Sequence, residues 1–175
     1  LWQGKNDLSS DAYIAWDEKY FYFAIKVNDD IHENKNDLPF MWAADCVQIA
    51  FDPMNDALPW NPSGYRKDDC EYTFCLSTRF QKACIFKSLA RDSRTPSVTR
   101  ARLAARKTEK SISYELAIPF DELGIVPQSG KVCGFSFAIL DSDGGNHVDY
   151  WMALSPGIAG GKNPSEFKKI ILKTD

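Results

Sequence analysis

The chain has 175 residues, 44% of them apolar and 26% charged, the balance of a single globular domain. Lys and Arg total 21 against 24 Asp and Glu, a net charge of −3, which argues against nucleic acid or an anionic membrane as the main partner. No apolar run approaches the roughly 18 to 20 residues that span a bilayer, and the chain opens at Leu1 with no initiator Met or signal peptide. It therefore reads as a piece of a longer protein, with any export signal upstream.

Strand patterns follow one another along the chain. Residues 11–17 and 20–27 are rich in aromatic and β-branched side chains about a turn at Asp17-Glu18-Lys19, the signature of a hairpin. Further strands are expected at residues 46–51, 71–76, 82–87, 98–106, 112–118, 133–140, 147–154 and 167–172. One helical turn is expected at residues 119–123, with Pro119 at its start and Gly124 just after it. About ten short strands without a helical layer predict an all-β fold, an antiparallel β-sandwich of the jelly-roll type.

The five cysteines are scattered and none lies in a CxxC pair, which argues against zinc. Cys75 and Cys84 flank a turn at Ser77-Thr78-Arg79, so a cross-strand disulfide is one reading. Buried reduced thiols are the preferred one.

Two connections are long. Residues 28–44 carry Pro39, Phe40, Met41 and Trp42, and residues 52–69 carry Pro53, Trp60, Pro62 and Tyr65. Both bring aromatic rings to the ends of the sandwich, where binding sites gather. Trp42, just before a strand in a loop that also carries Pro39 and Met41, is a candidate exposed stacking ring. Period-two alternation places Gln48 opposite Val47 and Ile49, Glu71 and Thr73 opposite Tyr72 and Phe74, and His147 and Trp151 opposite Val148 and Met152. The candidate ligand-binding surface is therefore Trp42 with Gln48, Glu71, His147 and Trp151. The competing arrangement packs Trp42 on the core as a loop anchor above a solvated sheet face.

Ala15-Trp16-Asp17, Tyr20-Phe21-Tyr22-Phe23 and Val27-Asn28-Asp29-Asp30 resemble the opening hairpin of family 9 carbohydrate-binding modules. The stretch from Met41 to Asp52 resembles that family's Trp-x-x-Asp-x-Val-[Glu/Gln]-Ile strand, and Asp68-Asp69-Cys70-Glu71-Tyr72 and the run from Gly161 to Phe167 match its layout. The resemblance implies a β-sandwich with structural calcium that binds sugar chain ends between two Trp rings. Trp42 takes the place of the first Trp, whereas the second falls at Gly161. Gln48 stands where binders carry an acid, His147 and Thr73 where they carry Arg, and Ile158 where they carry Asn.

Asp29-Asp30, Asp68-Asp69 and Asp141-Ser142-Asp143 are oxygen-rich, as calcium requires, although none has EF-hand spacing. With the resemblance, Asp29, Asp30, Asp68 and Asp69 are the preferred calcium ligands. Catalysis has little support, since His32 and His147 are the only histidines and no Ser- or Cys-centred motif accompanies them. Haem ligation by Met41, Met152, His32 or His147 is a weaker reading, because lone Met and His residues on strands belong more often to core or surface. The basic residues Arg91, Arg94, Arg100, Arg102, Arg106, Lys107 and Lys110 read first as an exposed sheet face balancing the acidic loops. The other reading is guanidinium groups that bind sugar hydroxyls or uronic-acid carboxylates.

The expected function is non-catalytic binding of an oligosaccharide or polysaccharide. Such a domain would target an attached polysaccharide-degrading catalytic domain to glycan, in an extracellular or periplasmic protein. The alternative is a structural or interdomain module that kept the sandwich and lost its sugar site.

Overall fold

The first hairpin pairs β1 (Leu8–Trp16) with β2 (Tyr20–Asp29) in antiparallel register. Its turn is fixed by Asp17, whose Oδ1 accepts bonds from the Lys19 and Tyr20 amides at 2.7 and 2.8 Å. Along β2 the residues Phe21, Phe23, Ile25 and Val27 are buried while Tyr22 and Lys26 face out, as alternation requires. The computed structural model describes residues 2–59, 64–89, 92–97, 99–144 and 147–174. Trp60, Pro62 and Arg91 lie outside the described residues, as does the side chain of Arg94.

Two antiparallel sheets form the expected sandwich. The smaller adds β8 (Ser111–Pro119) and β7 (Arg102–Lys107) to the hairpin, in the order β1-β2-β8-β7. The larger comprises β3 (Cys46–Asp52), β4 (Cys70–Ser77), β5 (Lys82–Leu89), β6 (Asp92–Ser97), β9 (Val132–Asp141) and β10 (Tyr150–Ala153), in the order β10-β9-β3-β4-β5-β6. A last strand, β11 (Lys168–Ile171), also pairs with β9. β10 lies along residues 138–141 of β9 and β11 along residues 132–135, so the two share one edge end to end. One helical turn, α1 (Phe120–Leu123), is stopped by Gly124 at φ 69°. The indole Nε1 of Trp16 donates to the Lys173 carbonyl at 2.9 Å and ties the C-terminal segment to the end of β1.

Three elements differ from expectation. The strand expected at residues 98–106 begins at Arg102, and the polar stretch Asp92–Ser97, with its Pro96, pairs with β5 as an edge strand. The strand expected from residue 147 begins at Tyr150, because its partner β9 ends at Asp141. Within the first long connection, Leu38–Ala43 form a 3₁₀ helix.

The inter-sheet core is aromatic. Phe135 packs on Phe51 and Phe21 at centroid distances of 5.2 and 5.6 Å and on Phe23 at 6.0 Å, and Phe74 meets Tyr114 at 5.3 Å. The larger sheet is also buried on its outer face. Every residue of β3 is buried, and a second cluster of Met41, Cys46, Ala50, Cys75, Ala138, Leu140, Ile158 and Phe167 lies on that side beneath the loops. All five cysteines are free and buried; Cys75 and Cys84 face each other in register without a bond.

Truncating Phe135 removes the ring at the centre of this core. Phe135→Ala is expected to destabilise the domain by about 3 to 5 kcal/mol, read as a lower urea midpoint at unchanged m-value.

Candidate functional site

Trp42 sits on the 3₁₀ helix, whose path is set by Pro39 near its start and by a buried clamp behind it. Asn34 Nδ2 donates to the carbonyls of Met41 and Asp45 at 2.9 and 3.0 Å, holding the entry and exit of the turn together. Met41 points inward, its sulfur 3.6 Å from Cys75 Sγ, while Phe40 and Trp42 point outward. Trp42 is 51% exposed and belongs to neither buried cluster. The packed loop anchor is thereby excluded.

Beneath the turn, Gln48 and Glu71 lie on the outer face of the larger sheet as alternation predicts. That face is roofed rather than solvated: Gln48 is 5% and Glu71 3% exposed. Glu71 Oε2 accepts bonds from Tyr65 Oη and Lys162 Nζ, both at 2.5 Å, so the buried carboxylate is matched by an ammonium ion and a phenol. Lys162 Nζ also stands 5.6 Å above the Tyr65 ring, and burial beside Glu71 pushes the Tyr65 hydroxyl well above the ordinary phenol range. Gln48 Nε2 reaches Thr73 Oγ1 only at a long 3.5 Å. The loop that delivers Lys162 closes on Gly157 at φ 99°, where an added Cβ would lie 2.3 Å from the Asn163 carbonyl oxygen.

Trp151 is 42% exposed on β10, opposite Leu140 in register. Its cross-strand neighbour Leu140 belongs to the same outer cluster as Met41, so Trp151 stands on that side of the larger sheet. Gly161 has open space where a side chain would be, and Trp151 Cζ2 lies 3.7 Å from the Cβ position of neighbouring Gly160. An indole thus stands beside the place left bare at Gly161. Ile158 is buried in the outer cluster. His147 is exposed, precedes the strand and pairs with Asp149 at 2.9 Å. Met152 packs against the inter-sheet core and Met41 in the outer cluster, on opposite faces of the larger sheet.

Two acidic groups flank β3. At its start, Asp29, His32 and Asp45 bring one ligand atom each within 4.8 Å of one another. His32 Nε2 faces the Leu76 carbonyl at 2.8 Å, so that nitrogen carries the proton. Its Nδ1 faces Asp29 Oδ2 at 3.3 Å and Asp45 Oδ2 at 3.8 Å. Asp45 accepts the Glu33 and Ser142 amides at 2.5 and 2.6 Å. At the other end, Asp52, Asp68 and Asp69 form the second group. Asp69 is 1% exposed, and its Oδ1, like Asp68 Oδ2, is buried without a hydrogen-bond partner among the described residues. Orphaned carboxylate oxygens are costly in a protein interior and fit a hard cation that takes oxygen ligands. Asp30 is exposed and stands outside both groups.

Lys162, Asp45 and Asp52 belong to these groups beyond the candidate residues read from the sequence. For the two acids a signal existed, since they bracket the most apolar strand of the larger sheet and a charge at a strand end needs a partner. For Lys162, brought to Glu71 from 91 residues away, there was none.

The fold defines an antiparallel β-sandwich domain whose larger sheet is roofed by loops. The chain belongs to the carbohydrate family 9 binding domain-like family, whose model matches residues 1–175. It is similar to a family 9 carbohydrate-binding module from Caldicellulosiruptor kristjanssonii in complex with cellotriose, with a TM-score of 0.75, 20% identity and coverage of 99% of this chain and 79% of that one. The same module in complex with glucose gives 0.75, 20%, 99% and 81%. A structure from Bacteroides uniformis gives a TM-score of 0.61 at 14% identity, covering 94% of this chain and 78% of that one. No curated protein matches the chain.

Burial pushes Asp45 up to about 8 and Asp69 and Asp141 up to about 7, with neighbouring carboxylates adding to it. These folded values lie above the unfolded value of 3.8. The stabilisation is therefore fully present below about pH 4 and lost as pH rises through the folded values. In chelator-treated protein the Tm is expected to fall between pH 5 and pH 8; a flat Tm over that window would contradict the buried carboxylate groups.

Proposed function

We propose that this domain binds an oligosaccharide or polysaccharide over the roofed face, with Trp42 as the principal stacking platform. The observation that carries the reading is the solvent-facing indole of Trp42 on a turn whose backbone is clamped from behind by Asn34. Rigid aromatic area costs little entropy on binding and suits the C–H face of a pyranose. Trp151 beside Gly160 supplies a second indole near the position where the resemblance expects one. Gln48, Glu71 and His147 are the polar candidates; Gln48 and Glu71 lie buried beneath the loops and His147 is exposed beside Asp149. The similar Caldicellulosiruptor module is known in complex with cellotriose and with glucose, which supports a glucan-like ligand as the first to try.

The role that follows is targeting. A sugar-binding domain tethered to a polysaccharide-degrading catalytic domain raises the local substrate concentration, in an extracellular or periplasmic setting where such polymers occur. A small contact of this kind gives affinities around micromolar or weaker. The second reading, a structural or interdomain module, is favoured by Gly161, where no side chain completes a clamp.

Calorimetric titration with cellotriose separates the two. Trp42→Ala is expected to weaken binding at least tenfold, about 1.4 kcal/mol, and Trp151→Ala to weaken it by a smaller factor. Absence of binding by the native domain across neutral glucans and xylans, or unchanged affinity in Trp42→Ala, would favour the interdomain module.

Calcium is proposed at the acidic groups, with Asp68 and Asp69 joined by Asp52, and Asp29 joined by Asp45 and His32. The ion would neutralise carboxylates that burial otherwise penalises, and so act structurally. Adding EDTA is expected to lower the Tm and excess calcium to restore it; identical melts with and without chelator would remove the ion.

A further inference from the structure

The outer face of the smaller sheet carries a recess that the function above does not use. Its registered rows are Tyr22–Ala117–Arg102 and Ala24–Glu115–Ala104, across β2, β8 and β7. The alanines form a shallow floor, and the walls are one phenol ring, one guanidinium and one carboxylate, around a space of about 390 Å³. That is the lower end of the range in which small-ligand pockets fall, about 300 to 1,000 Å³.

Both principal walls are held in place. Tyr22 Oη donates to Asp17 Oδ2 at 2.7 Å, and Asp17 is itself fixed by the turn amides. The Arg102 guanidinium stacks over Tyr20 at 5.5 Å, and the Tyr20 and Tyr22 rings are 6.0 Å apart. Arg102 has no carboxylate within ion-pairing distance among the described residues, unlike its neighbour Arg100, which pairs with Asp121 at 2.8 Å. Arg102 is therefore a cation with its fork unmatched among the described residues, next to a ring held by Asp17. Arg102 also lines a neighbouring groove of about 890 Å³ edged by Lys19, Tyr20, Arg100 and Val126.

We infer that this face is a second glycan site, specific for an acidic sugar whose uronate carboxylate pairs with Arg102 while its pyranose ring lies on Tyr22. Guanidinium and carboxylate match bidentately, and Glu115 accepts from ring hydroxyls across the recess. The ligand class follows from combining one unpaired planar cation with one stacking ring; a neutral glucan would leave the cation unmatched. The location of the site is independent of Trp42, while the choice of a sugar over another carboxylated ring rests on the carbohydrate-binding reading.

Titrating trigalacturonate into native, Arg102→Ala, Tyr22→Ala and Trp42→Ala protein tests it, with cellotriose as the second ligand. The expected result is a tenfold or greater loss of trigalacturonate affinity in Arg102→Ala and Tyr22→Ala, partial recovery in Arg102→Lys, and no change in Trp42→Ala. Cellotriose binding should be indifferent to Arg102. Should Arg102→Ala melt below the native protein, Arg102→Gln carries the same test. The proposal is overturned if native protein does not bind trigalacturonate, if Trp42→Ala removes that binding, or if polyglutamate competes as effectively as the sugar. Loss in Arg102→Ala with no cellotriose binding at all would uphold this site and sink the Trp42 reading alone.

Discussion

Burial of β3 on both faces is the constraint from which the rest of the domain follows. An antiparallel strand in a sandwich ordinarily buries one face and wets the other. Here Val47, Ile49 and Phe51 enter the aromatic core, while Cys46, Gln48 and Ala50 press against a second layer made of loops. Those loops cannot be slack, because they must cover sheet carbon as well as connect strands. The Asn34 clamp, the Gly157 turn and the Glu71–Lys162–Tyr65 group are the means by which they hold their shape. Trp42 stands firmly in solvent because the residue beside it, Met41, is a buried anchor.

The same constraint explains the charge distribution. A strand buried on both sides must end somewhere, and β3 begins beside Asp45 and ends on Asp52, each in a group of groups that would repel one another without a counter-charge. At the Asp52 end the requirement is sharper, since two carboxylate oxygens have no donor among the described residues. At the Asp45 end a histidine nitrogen already faces the two carboxylates. The ends of the most buried strand are thus the places where burial makes carboxylate charge costly.

The fold was legible in the sequence to the extent that period-two alternation is a local property. The hairpin at Asp17, the strands β3, β4, β5, β8 and β9 and the helical turn at Gly124 all lie where the pattern puts them, within a few residues. The polar strand β6 was not legible, because its pairing with β5 is an edge contact that needs no apolar rhythm. At the site, the position of Trp42 before a strand and the face shared by Gln48 and Glu71 could be read. The roof over that face could not, because it depends on contacts such as Lys162 with Glu71 that no spacing rule anticipates. Nor could the neighbourhood of Trp151 and Gly160, which arises only when β10 folds against β9.

The indole bond from Trp16 to Lys173 has a mechanical meaning. The chain enters β1 at Leu8 and its last described residues lie beside Trp16, at the far end of the same nine-residue strand. A pull applied between these points runs along β1 rather than across it. The ladder to β2 then bears the load in shear, with its rungs strained together instead of peeled one at a time.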